Sequence, residues 1–70
     1  MTPDKVRQAR LLLGLSAPDL ARLLGYGGHA VSRLSMMWLI ETGKRRLREP
    51  QRRLLCAYLE GYRPKDWPIQ

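Results

Sequence analysis

The stretch "LSAPDLARLLGYGGHAVSRL", residues 15–34, decides how the chain folds. Ser16 can cap a helix with its hydroxyl, Pro18 is tolerated in a first turn, and Asp19, three residues after the cap, makes a short-armed capping box. Leu20, Ala21, Leu23 and Leu24 then form an apolar stripe that stops at Gly25. A second helix starts between Gly28 and Ala30 and carries Val31 and Leu34 one turn apart. Two helices crossing steeply over a tight turn need a small side chain where their backbones approach, and Ala21 supplies it. The turn itself needs a residue free to take positive φ, which Gly25 is. Val31 and Leu34 are then the expected anchors of the second helix on the core.

Helix signals continue in both directions. Upstream, Thr2 can cap, Pro3 suits the first helical position, Asp4 complements the positive helix end, and Val6, Ala9, Leu12 and Leu13 line a stripe ending at Gly14. Downstream of Gly28 no Pro or Gly interrupts the chain until Gly43. A last helix is marked by Pro50 near its start, by Leu54, Leu55, Tyr58 and Leu59 on one face, and by Gly61 as terminator. The expected helices are 3–13, 17–24, 29–42 and 50–60, followed by an extended tail over 62–70. In that tail Trp67 lies between Pro64 and Pro68, either as a lid on the hydrophobic body or as an aromatic exchanged between subunits. With no strand alternation, internal repeat or low-complexity tract, the class is all-α: one domain over 1–70, a small four- to five-helix bundle with short connections.

Composition narrows the function. Seventy residues bury only about 60% of their unfolded surface, enough for a helical core but not for a deep catalytic cavity. There is no nucleophile with a base, no pair of carboxylates in helical register and no phosphate loop, so an enzyme is not expected. The single cysteine, Cys56, precludes an internal disulfide, and with only His29 beside it there is no zinc ligand set. Neither a cofactor nor a small-molecule ligand is expected. No stretch approaches eighteen uninterrupted apolar residues, and the charged, Pro3-punctuated start does not resemble a secretory signal, so a soluble cytoplasmic protein is expected, with no membrane partner. The formal charge of +7 favours nucleic acid, an anionic surface or an acidic protein. Residues 33–53 hold seven of the thirteen basic side chains against Glu41 and Glu49, so the positive charge is concentrated in less than a third of the chain.

The combination of Ala21, Gly25, Val31 and Leu34 resembles the helix-turn-helix of the Cro and phage-repressor family. The segment "ETGKRRLREPQRRLLCAYLEG", residues 41–61, is similar to that family's ending. The spacing departs from the family: sixteen residues separate Gly25 from Glu41, where about ten are usual, which lengthens the recognition helix by about six residues or roughly 9 Å. Met36, Met37, Trp38, Leu39 and Ile40 then cannot all face one core. A long recognition helix is also a point of similarity to the small anti-CRISPR-associated regulators of phage genomes. These resemblances imply a dimeric repressor bound to an inverted repeat of double-stranded DNA at its own promoter, in a bacterial host cell. Two other partners stay open: a protein toxin, if the chain is an antitoxin-type regulator, or another chain received by an exposed Met and Trp face.

On this basis the expected DNA contacts are Ser16 at one helix start, Gly27, Gly28, His29, Ala30, Ser32 and Arg33 around the start of the next, and Lys44, Arg45 and Arg46 beyond it. The two glycines either loosen a loop or let helix-start N–H groups approach a phosphate. His29 is a base contact or a cap. Arg33, pointing away from Val31 and Leu34, is the expected reader of a base edge. Ala17 stands where the family often has glutamine, which weakens readout from the preceding helix. Met37, Trp38, Leu55, Tyr58 and Leu59 are each readable as core, but together with their neighbours they exceed what four short helices need, so they are the expected homodimer interface.

Overall fold

A computed structural model describes residues 1–67, and Pro68 of the expected tail lies outside them. The described residues form four helices: α1 Pro3–Leu12, α2 Ala17–Leu23, α3 Ala30–Glu41 and α4 Glu49–Leu59. The ends follow the local chemistry. The Lys5 N–H donates to Thr2 Oγ1 at 3.3 Å, and the Asp19 N–H donates to Ser16 Oγ at 3.3 Å, so both hydroxyl caps form. Pro3, Pro18 and Pro50 occupy first turns, where a missing N–H costs nothing. None of the helices is long and apolar enough to cross a membrane.

Val6, Ala9, Leu15, Leu20, Ala21, Leu23, Leu24, Met37, Ile40, Leu55 and Tyr58 make the core. Ala21 is fully buried, and α3 packs mainly on α2 and secondarily on α1. Gly25 takes φ +92° in the turn, as the crossing requires. The described part of the tail folds back: Tyr62 stacks on Tyr58, Trp67 meets Tyr58 edge-on at 5.1 Å, and the Arg63 guanidinium lies 4.2 Å from the Trp67 ring centre. Trp67 is therefore a lid within its own chain. Cys56 is half-buried.

The register of α3 corrects the sequence-based expectation. Val31 is 75% exposed and Leu34 51% exposed, so neither anchors the helix. Met37 and Ile40, each six residues further along, do so instead. Helix α3 starts at Ala30, within the expected range, so the difference lies in its rotation about its own axis. The additional residues enter ahead of the anchors, so the first turns of α3 run past the end of its contact with the body. A clamp fixes the other end: Arg10 Nε and Nη2 donate to the two carboxylate oxygens of Glu41 at 2.9 and 3.2 Å, and Arg10 Nη1 donates to the Leu15 carbonyl at 3.1 Å.

The expected dimer interface is corrected in the same way. Met37, Leu55 and Tyr58 are buried inside the single chain, with the Tyr58 hydroxyl donating to the Leu23 carbonyl at 2.7 Å. Of the five, only Trp38 and Leu59 reach solvent.

Candidate nucleic-acid interface

The periodicity of α3 divides its side chains between two stripes. Arg33, Met36, Met37 and Ile40 face the body, while Val31, Leu34, Ser35 and Trp38 face outward. Leu34 and Trp38 share a cleft with Arg7 and Arg10 of α1, Ala17 of α2, and Glu41 and Thr42. With Ser35 and Leu39 they also line a shallower hollow of apolar character. Thr42 turns its hydroxyl back on the helix and donates to the Trp38 carbonyl at 2.7 Å. Lys44 Nζ stands 5.9 Å from the Trp38 ring centre, within range of a cation–π contact.

Arg7 and Lys44 lie beside this face, and Arg45 and Arg46 of the following loop line a separate hollow with Pro3, Val6 and Ile40. Several cations form no ion pair among the described residues. The ion pairs among the described residues are Arg10 with Glu41, Arg22 with Asp66, and Arg52 and Arg53 with Glu49. Glu49, held by its hydrogen bond from Arg52, titrates below the usual carboxylate range. Lys44, Arg45, Arg46 and Arg48 are all exposed and form no ion pair among the described residues. Arg7 is likewise exposed and unpaired there. The loop that carries the four cations is fixed, because the N–H groups of Lys44 and Arg45 both donate to the Leu39 carbonyl, at 2.9 and 3.1 Å. Burial raises the Tyr26 hydroxyl pKa above its ordinary value, while Arg45 and Arg48 pull it down.

The sequence-predicted contacts fall into three groups. Gly27, Gly28, His29, Ala30 and Ser32 lie together, exposed, at the start of α3. His29 is the N-cap residue but makes no capping hydrogen bond through its side chain. Lys44, Arg45 and Arg46 are exposed at the other end. Ser16 is exposed at the start of α2 with its hydroxyl engaged as the cap. Arg33 departs from expectation: it is half-buried, and its Nε donates to the Tyr26 carbonyl at 3.3 Å. It shares the stripe of Met37 and Ile40, so it is turned from the outward face that it was expected to occupy. Sequence reasoning missed Arg7, Leu34, Ser35 and Thr42 as members of that face. The available signal was spacing: Leu34, Trp38 and Glu41 fall on one helical stripe, so an ion pair from Glu41 to α1 sets all three beside that helix.

No family model, curated protein or solved structure matches this chain.

Proposed function

We propose that this chain is a sequence-specific double-stranded DNA-binding regulator of transcription, acting as a homodimer on an inverted repeat. The observation that carries it is the outward face of α3, where Val31, Leu34 and Trp38 are more than half exposed beside Arg7 and Lys44, with Arg45, Arg46 and Arg48 in the loop that follows, five cations that form no ion pair among the described residues. A helix of about 10–12 Å diameter fits a major groove about 12 Å wide, which sets phosphates along its flanks. Gly27, Gly28 and Ala30, without bulky side chains, suit close approach of the α3 start to a phosphate. Charge in the loop serves affinity, and the helix face serves discrimination. Occupying a promoter then represses it.

The molecule extends 29 × 25 × 20 Å, so two copies fit side by side at a half-site spacing of about 34 Å. Leu59 and Tyr62, exposed at the end of α4, are apolar surface available for pairing. Selection of duplexes from a random pool tests the proposal. The expected winners share a palindrome whose half-sites lie one helical turn apart, bound by two chains as measured by sedimentation. A pool with no enriched sequence overturns it.

A second function is favoured by one observation, the apolar character of Val31, Leu34 and Trp38. A helical protein-binding module would present such a strip to another chain, and that chain, not a duplex, would then be its partner.

A further inference from the structure

The outward strip of α3 is unusual for a helix that reads bases by hydrogen bonding. Between residues 30 and 39 the only side chain able to make a bidentate contact with a base is Arg33, and that guanidinium is half-buried against the Tyr26 carbonyl. What reaches outward is Val31, Leu34 and Trp38, 75%, 51% and 56% exposed, interspersed with the small hydroxyls of Ser32 and Ser35. A base pair offers the major groove a distinctive set of donors and acceptors, but only one apolar feature, the C5-methyl group of thymine.

Resting on the duplex-binding function proposed above, the geometry points to thymine methyl groups as what α3 recognises, with Leu34 and Trp38 as the residues that set specificity. The occupant is argued from charge. Arg7 lies in the same cleft as Leu34 and Trp38, where Glu41 is already paired with Arg10, and Lys44 lies over the Trp38 ring, so cations with no carboxylate partner among the described residues border the apolar strip. A groove floor studded with methyl groups between two phosphate backbones matches that pattern of oily centre and positive edges. A second copy of the chain would set the same cations against one another.

The probe is the duplex selected by the full-length chain from a random pool, resynthesised with deoxyuridine replacing thymine one position at a time. Uracil pairs as thymine does and lacks only the methyl group. Binding is expected to weaken roughly four-fold for each contacted methyl, the factor that burial of one such group is worth. Leu34→Ala and Trp38→Ala are each expected to bind the thymine duplex more weakly. Each should also lose discrimination between thymine and uracil at its own position while keeping the wild-type salt dependence. Both side chains are half outside the body, so the variants should unfold within a few degrees of the parent.

If every uracil duplex binds as tightly as its thymine counterpart, methyl recognition is wrong although DNA binding stands. If no duplex is enriched at all, both the proposed function and this inference fall. If Trp38→Ala instead converts a dimer to monomers with thymine discrimination intact, the strip belongs to a second copy, and the inference is overturned.

Discussion

Arg10 shows how much of this small molecule depends on one side chain. Its guanidinium holds both carboxylate oxygens of Glu41 and the Leu15 carbonyl. The pair is largely withdrawn from water, with side chains 17% and 10% exposed. Breaking such a pair from one side leaves the partner charge uncompensated, which costs far more than the intact pair gains. Arg10→Ala is therefore expected to lower stability by about 2–4 kcal/mol, read as a shift in the urea midpoint at unchanged slope. Arg10→Lys should rescue only in part, because an ammonium cannot span two oxygens in a fork. Arg10→Met combined with Glu41→Leu should recover most of the loss. Were Arg10→Ala neutral, the register of α3 would have to be held by Met37 and Ile40 alone. Glu41 lies seven residues after Leu34 and three after Trp38, so the same contact holds that stripe alongside α1, where Leu34 and Trp38 share its cleft.

At the scale of elements, the entry to α3 makes a sharp contrast between two adjacent glycines. Gly28 has φ +96°, and a Cβ built there would meet Ser32 Cβ at 3.2 Å. Gly27 has an ordinary φ and nothing within 4 Å of a Cβ. Gly28→Ala should cost about 1–2 kcal/mol from the left-handed backbone, whereas Gly27→Ala should be neutral or stabilising by up to about 1 kcal/mol through the unfolded chain. Equal effects in chemical denaturation would show that the connection does not hold the conformation described. The four helices themselves were legible in the sequence to within a residue or so, because their signals are local: hydroxyl caps at Thr2 and Ser16, prolines in first turns, glycines after last ones. Ala21 and Gly25 likewise revealed where α2 and α3 cross. The rotation of α3 was not legible. Its sequence carries two stripes, one with Val31, Leu34 and Trp38 and one with Met36, Met37 and Ile40, and local periodicity favours neither. The choice is made by long-range packing: Met37 and Ile40 are buried in the core, and Arg33 on their side donates to the Tyr26 carbonyl. Arg33 and Met37 were misplaced for that reason, and Leu55 and Tyr58 because the sequence does not show how much of α4 the core of a single chain takes up, while the exposure of the cations 44–46 was legible because a solvated charge needs no packing partner.

Across the whole molecule, the charge is divided between cations that fold the chain and cations left over. Arg10, Arg22, Arg52 and Arg53 are held in ion pairs, whereas Lys44, Arg45, Arg46 and Arg48 crowd one loop without one among the described residues. Holding like charges together raises the self-energy of the folded state, a cost that a polyanion removes on binding. Each phosphate neutralised lowers the slope of log affinity against log salt by about 0.9. Replacing Lys44, Arg45 and Arg46 with Ala together should thus make that slope shallower by up to about 2.7. It should change folding stability by no more than about 0.5 kcal/mol, the worth of the exposed Lys44–Trp38 contact. Arg52→Ala with Arg53→Ala removes two charges already committed to Glu49 and should move the slope by less than one unit. The measurement is fluorescence anisotropy on a fixed duplex between roughly 50 and 200 mM salt, where a contact set of this size changes affinity steeply. If the two sets of variants shift the slope in proportion to net charge alone, the loop holds no privileged place against the duplex. A larger shift for the loop set is what local recognition demands.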